Sequence, residues 1–246
     1  MSVAVFLGTG NFLTPDNRYW NSFVLDGTVL VEPCPTALPH LRKAGIKAGD
    51  LEAIVISHFH PDHTFGWPFL LLEMILDGQR DGVHPTHIVG PPGVEHFLHE
   101  MIELGSIPNV AEAAAALLDL HFVEADGTRQ QAGDLSFRAV EVDHVPYLRC
   151  FGYLFERGDR VIGYSGDTQL CAGLHELADR ADVLVLECNG PHAEGVAHSH
   201  MDEQAVRALR AAHPDTPFVL THLGENLDLA GIEDIEVPDD FERVTL

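Results

Sequence analysis

Ala53-Ile54-Val55-Ile56-Ser57 runs without a break into His58-Phe59-His60-Pro61-Asp62-His63. The first five residues read as a short strand buried on both faces, since an aliphatic, β-branched run offers no polar side to water. The next six carry four side chains of metal-binding type, and packing gives no reason to gather them just past a buried strand. Imidazole and carboxylate together suit zinc, manganese or iron. Alternation places His58 and His60 on one side of the exiting chain. A tight turn at Pro61 then brings Asp62 and His63 back towards a second ion. The competing reading, a solvated histidine-rich loop, explains neither the spacing nor the strand in front of it.

Two ions so close together need more donors. His144 follows the strand expected at Leu135–Val142, and Asp167 follows the one at Val161–Ser165, in the turn Ser165-Gly166-Asp167-Thr168. His222 follows the strand expected at Phe218–Thr221. Taken singly, a histidine after a strand is more often a packed or surface residue. Three donors at C-terminal strand ends, downstream of so dense a motif, point to one shared rim where rigid elements present side chains.

Elsewhere short apolar runs alternate with helical patterns. Val3–Leu7, Ser22–Leu25 and Thr28–Val31 read as strands, the last two joined at Asp26-Gly27. Pro39–Ala44, Trp67–Leu76, Val94–Leu104 and Val110–Leu120 read as helices, the last with Asn109 as its N-cap. His87–Gly90, Gly152–Glu156 and Val183–Glu187 add strands, and Ala172–Asp179 and Asp202–Ala212 add helices. Strands come in hairpins as well as after helices, so mixed sheets covered by helices are expected rather than a simple doubly wound sheet. No linker-like or repeated tract divides the 246 residues, and one domain over 1–246 is expected.

The 38 acidic residues against 14 basic ones give a formal net charge of −24. Polyanion binding rests on Lys and Arg, so neither nucleic acid nor an anionic membrane is expected as a partner. A small-molecule substrate is expected instead, and a homodimer is allowed. The longest greasy run, Phe65–Leu76, contains Gly66, Pro68 and Glu73 and is too short to span a bilayer. Met1–Gly10 shows no basic leader with a cleavage site. Cys34, Cys150, Cys171 and Cys188 form no Cys-x-x-Cys pair, which fits a reducing, cytoplasmic location.

The His58–His63 segment resembles the His-x-His-x-Asp-His hallmark of the metallo-β-lactamase superfamily. Phe6-Leu7-Gly8-Thr9-Gly10, Pro15, Arg18 and Gly90-Pro91-Pro92-Gly93 look like one branch of it. That branch holds the tRNA 3′-processing endonucleases (tRNase Z), the cyclic phosphodiesterase of phosphonate degradation and many other hydrolases. The resemblance implies a mixed α/β fold, a four-layer αββα sandwich with the site at one edge of the two sheets. It also implies that His58, His60 and His144 bind one divalent ion, that Asp62, His63 and His222 bind another, and that Asp167 bridges them. Zinc is the expected metal, with manganese or iron as alternatives. Two such ions can share a hydroxide as nucleophile, and Asp62 is expected both to ligate one ion and to orient that nucleophile.

The leaving oxygen still needs a proton. His198 and His200, in Ala197-His198-Ser199-His200-Met201, look like the histidine that opens the penultimate helix in the phosphodiesterase branch, with Glu187 resembling its carboxylate partner. The literal His-Ser pair favours His198. Spacing favours His200, which stands 22 residues before His222. Departures from the branch bear on the substrate. In tRNase Z a long tRNA-gripping arm lies between the third metal motif and the bridging aspartate, whereas His144 and Asp167 are only 23 residues apart. With the acidic charge, this argues against tRNA. The cysteine-rich accessory zinc site of the phosphonate-pathway enzyme is missing, and no Glu replaces His60, the second motif His, as in the flavodiiron members. A metal-dependent hydrolase of a small phosphodiester or phosphoester is therefore expected. A lactone or carboxylic-ester hydrolase is the alternative, and a non-catalytic metal-binding protein the third reading. A cationic clamp for phosphate separates the first two, with Arg149 and Arg18 as candidates.

Overall fold

The computed structural model describes residues 1–105, 109–190 and 199–246. Among them, two seven-stranded sheets stack face to face. The first holds β1 (Val3–Gly8), β2 (Ser22–Leu25), β3 (Val29–Val31), β4 (Ala53–Val55), β5 (Pro85–Gly90) and β6 (Asp119–Glu124). The second holds β7 (Arg129–Ala132), β8 (Leu135–Val142), β9 (Cys150–Arg157), β10 (Arg160–Tyr164), β11 (Val183–Glu187), β12 (Phe218–Thr221) and β13 (Ile235–Glu236). β14 (Arg243–Thr245) returns to the first sheet and pairs antiparallel with β1. The orders are β14-β1-β2-β3-β4-β5-β6 and β13-β12-β11-β10-β9-β8-β7. In each sheet an antiparallel meander gives way to parallel strands, from β3 to β6 and from β10 to β13.

Alternation along each strand decides which layer a residue joins. Ala53 and Val55 of β4 face the second sheet and pack in the inner core with Phe137, Phe151, Tyr153 and Phe155. Ile54 and Ile56 face outward, where α1 (Ala37–Ala44), α2 (Pro61–Thr64), α3 (Trp67–Asp81), α4 (Val94–Leu104) and α5 (Val110–Leu117) follow in the chain. Leu41, Trp67, Leu98 and Val110 of these helices close that outer core. On the far side, Leu174 and Leu177 of α6 (Ala172–Arg180) and Val206 and Leu209 of α7 (Glu203–Ala212) cover Val140, Leu154 and Leu184. The result is the αββα sandwich expected. A buried aliphatic or aromatic side chain contributes about 1.5–3 kcal/mol, so these three apolar layers hold the frame on which polar residues at the strand ends are carried.

Several expectations need correction. Val110–Leu120 is not one helix: α5 stops at Leu117, and Asp119–Glu124 pairs with β5 as an edge strand. Register with β5 satisfies six residues of backbone at once, which overrides the helix propensity of the Ala-Leu run. Asn109 does precede α5, but at φ 65° its side chain makes no capping bond. A capping side chain needs an extended backbone to reach the helix N–H groups. α3 continues past Leu76 to Asp81, and the short polar strands β7, β13 and β14 carry no sequence pattern of their own. Among the described residues no helix is long and apolar enough to cross a membrane.

Candidate metal centre

The chain leaving β4 is buried through Ser57 and His58, then turns at Pro61 into α2. Pro61 sits in the first turn of that helix, where its missing N–H has no intrahelical role. This single turn points Asp62 and His63 back at the end of β4. His144, Asp167 and His222 arrive from just beyond β8, β10 and β12, and all three are buried. His222 does so at φ 49°, a left-handed backbone that costs energy in any residue but glycine and that clusters at functional sites. Two glycines permit the convergence. A Cβ on Gly66, at the start of α3, would lie 2.0 Å from the Cys34 carbonyl oxygen, and one on Gly224 would lie 1.6 Å from that of Asn189.

The donors fall into two groups. His58, His60 and His144 form one, with His60 Nδ1 and His144 Nε2 3.2 Å apart. Asp62, His63, Asp167 and His222 form the other. Within it His63 Nε2 lies 3.3 Å from Asp62 Oδ2 and 3.2 Å from Asp167 Oδ2. His222 Nε2 is 3.5 Å and 3.4 Å from the same two oxygens. Asp167 Oδ2 is also 3.9 Å from His58 Nε2, so this carboxylate stands between the groups.

The donor set fits a divalent cation. Atoms held tetrahedrally at zinc bond lengths stand roughly 3.3–3.4 Å apart, which is the spacing of the second group. His58 Nε2, both ring nitrogens of His63, Asp167 Oδ1 and His222 Nδ1 are buried without a hydrogen-bond partner. Each such atom costs about 1–3 kcal/mol if nothing meets it. The electrostatics agree. Burial and the neighbouring imidazoles push His58 well below the usual imidazole range, and burial lowers His60 and His144 too. Burial opposes ionisation of Asp62 and Asp167, but the adjacent histidines outweigh it and hold both carboxyls below their usual range. For His63 burial disfavours the charge, yet Asp167, Asp62 and Glu32 outweigh burial and raise it well above the ordinary value. Neutral imidazoles beside ionised carboxylates are what a cation requires, and a cation held by the second group would take the place of the His63 proton.

Outer partners orient these rings. His58 Nδ1 lies 2.9 Å from Ser57 Oγ, and His144 Nδ1 donates to the Ser199 carbonyl oxygen at 2.7 Å. His60 Nε2 is 3.5 Å from the Tyr147 hydroxyl. His63 Nδ1 is 3.5 Å from Glu32 Oε2. Glu32 has no solvent exposure and sits at φ 59° just past β3. It accepts the Ser57 N–H and the Tyr164 hydroxyl, and Tyr164 in turn accepts from Asn21. The sequence reading missed Glu32, although its position one residue after a strand is the same signal that singled out Asp167.

His200 Nδ1 donates to Glu187 at 2.9 Å, and Glu187 also accepts the Thr168 N–H. Burial disfavours the charged His200, but the Glu187 carboxylate outweighs it and pushes the imidazole up to about 9. The ring centroid of His200 is 4.6 Å from that of His144 and 5.4 Å from that of His222, which places it beside both donor groups. His198 lies outside the described residues. Neither candidate for a phosphate clamp reaches the site. Arg149 pairs with Glu141, and Arg18 bonds to Thr9, the Pro238 carbonyl oxygen and Asp239. A cavity of about 540 Å³ opens over the donors, bordered by His60, Asp62, His144, Asp167 and His200.

Comparison with known proteins places this geometry in a family. Residues 27–223 match the model of the beta-lactamase superfamily domain. Ribonuclease Z of Salinibacter ruber is 26% identical over an alignment covering 88% of this chain and 83% of that protein. The short form of human tRNase Z superposes with a TM-score of 0.76 at 23% identity, covering 100% of this chain and 99% of that one. A diphosphatase from the PhnP family gives the same TM-score at 18% identity, covering 100% and 98%. These relatives overturn the expectation that nucleic acid is not a partner. The charge argument failed because net charge sums over the whole surface, whereas a substrate meets the local field of the site, where bound cations are the largest charges. A metal-dependent hydrolase acting on ester bonds fits the donor groups and the matched domain together. The chain belongs to the metallo-β-lactamase superfamily of hydrolases, in the branch that contains ribonuclease Z.

Proposed function

We propose that this chain is a dinuclear phosphodiesterase of the cytoplasm, acting on a small phosphodiester or phosphoester. The observation that carries the reading is the pair of donor groups beneath one cavity, with Asp167 of the second standing 3.9 Å from His58 of the first. His58, His60 and His144 would hold one divalent ion, Asp62, His63 and His222 the other, with Asp167 common to both. Held there, two such ions would supply Lewis acidity and activate water for attack on the ester. Asp62, 13% exposed at the cavity wall, would orient the incoming nucleophile as well as ligate. Glu187 fixes the Nδ1–H of His200, so the proton it can pass to a leaving oxygen is the one on Nε2. The Glu187 carboxylate, which raises that imidazole to about 9, keeps the Nε2 proton in place at neutral pH. The ribonuclease Z relatives make an RNA end the polymeric form of the same bond, and it belongs in any substrate test.

A second reading, hydrolysis of a lactone or carboxylic ester, is favoured by one observation. Among the described residues bordering the cavity there is no Lys or Arg to neutralise a phosphate. In the phosphodiester reading that charge falls on the ions and on His200. The test is protein of known metal content assayed on small phosphodiesters, a tRNA precursor, phosphomonoesters, lactones and a β-lactam. Phosphodiester turnover that vanishes on chelation and returns with Zn²⁺ or Mn²⁺ is expected. Turnover of a lactone with none of any phosphodiester, small or RNA, would reverse the order of the two readings.

A further inference from the structure

The cavity over the donors is not polar all round. Beyond the donors, Ser199 and His200, its walls are Phe12, Trp20, Pro35, Pro61, Phe65 and Val145. Phe12 is 51% exposed and Phe65 is 50% exposed, so two large rings stand half in water beside a charged centre. Neither is carried on a loose segment. The Phe12 carbonyl oxygen accepts the indole N–H of Trp20 at 3.1 Å, and the Phe65 N–H bonds to the Pro61 carbonyl oxygen, closing α2. The loop bearing Phe12 is tied further by Asn11, whose Nδ2 donates to Asn189 Oδ1 at 2.6 Å. The Phe12 ring lies within 18° of parallel to that of His200, centroids 6.5 Å apart. A flat face next to His200 is thus carried on a tied backbone and stands half-exposed among the described residues.

Resting on the phosphodiester reading, we infer that Phe12 and Phe65 form a subsite for a flat, uncharged aromatic group attached beside the scissile ester. Aromatic rings, prolines and a valine give such a group dispersion contacts and stacking faces, and they give nothing to a second anion. Without Lys or Arg on the described wall, a substrate with a long polyphosphate tail finds no partner there. Stacking a base on an aromatic side chain is worth about 5- to 150-fold in affinity. A nucleobase and a simple aryl group present the same chemistry to Phe12 and Phe65, and only substrates that separate them tell which is used.

Four methyl phosphodiesters do so: thymidine 5′-methyl phosphate, its abasic deoxyribose counterpart, 2-phenylethyl methyl phosphate and 2-cyclohexylethyl methyl phosphate. Products are followed by chromatography. Wild-type kcat/KM should favour the flat member of at least one pair by about fivefold or more. A preference confined to the thymidine pair identifies a nucleobase; one shown also by the phenyl pair identifies any flat ring. Phe12→Ala or Phe65→Ala should pull the preferred ratio towards one. Trp20 fluorescence on titration with thymidine 5′-monophosphate and with deoxyribose 5-phosphate should give the same order of affinity without turnover. Equal rates within both pairs, or a preference untouched by both alanine variants, overturns the subsite and leaves the phosphodiesterase standing. If no phosphodiester is cleaved and a lactone is, the phosphodiesterase reading falls. The same phenyl and cyclohexyl pair, built on the lactone, then decides the subsite alone.

Discussion

Glu32→Gln is the most searching perturbation of this centre, because it removes a charge without removing volume. The carboxylate is fully buried and stands 3.5 Å from His63 Nδ1. Two unit charges that far apart interact by roughly 5 kcal/mol at an effective dielectric of about 20, and an ion beyond the neutral ring, farther from Glu32 than Nδ1, would feel only part of that. Losing an outer partner of a metal-bound histidine costs about 10- to 100-fold in metal affinity, or about 1.4–2.8 kcal/mol, and Glu32→Gln is expected within that range. The amide oxygen can still accept from the Ser57 N–H and the Tyr164 hydroxyl, so the metal-free fold should lose little. The assay is a Zn²⁺ titration of metal-free protein against a chromophoric chelator, with thermal unfolding of the metal-free variant alongside. One class of site should weaken, the one depleted in His222→Ala, and Glu32→Asp should fall between. Unchanged affinity at both sites with a lowered melting temperature would show that Glu32 serves the core alone and refute the reasoning.

Protein purified without chelator should carry about two transition-metal ions per chain, and His58→Ala and His222→Ala should each deplete a different one by elemental analysis; activity in protein free of metal would overturn the hydrolase assignment. His200→Ala should keep both ions and lose about 10²–10⁴-fold in kcat on a poor alkoxide leaving group, with little loss on nitrophenolate. The same dependence in His198→Ala and not in His200→Ala would reverse the assignment of the donor. Gly66→Ala drives a Cβ into the Cys34 carbonyl oxygen, so denaturant melts should show a loss of about 1–3 kcal/mol or more. A melt matching wild type would show that the turn after α2 relaxes freely.

The metal motif was legible from sequence because its information is local. His58, His60, Asp62 and His63 lie on one strand exit and one helical turn, and backbone geometry alone brings them together. The strands before His144, Asp167 and His222 were legible for the same reason, as apolar runs whose alternation marks two buried faces. What one chain position cannot report is its neighbour across the sandwich. Glu32 reads as an ordinary acidic residue after a strand until β3 and β4 pair and set it against Ser57 and His63. The pairing of His200 with Glu187 is a contact between residues 13 apart, made where the segment before α7 meets the end of β11. β6 begins at Asp119, inside the stretch read as helix, because β5 offered it six residues of backbone pairing. The field at the cavity is likewise a sum over what converges there, so a net charge of −24 could not forecast whether the centre accepts a polyanion. Short-range chemistry was determined by the order of residues. The partner of each buried charge was decided by which strands lie side by side, because an electrostatic contact depends on distance in space and the sequence records only distance along the chain.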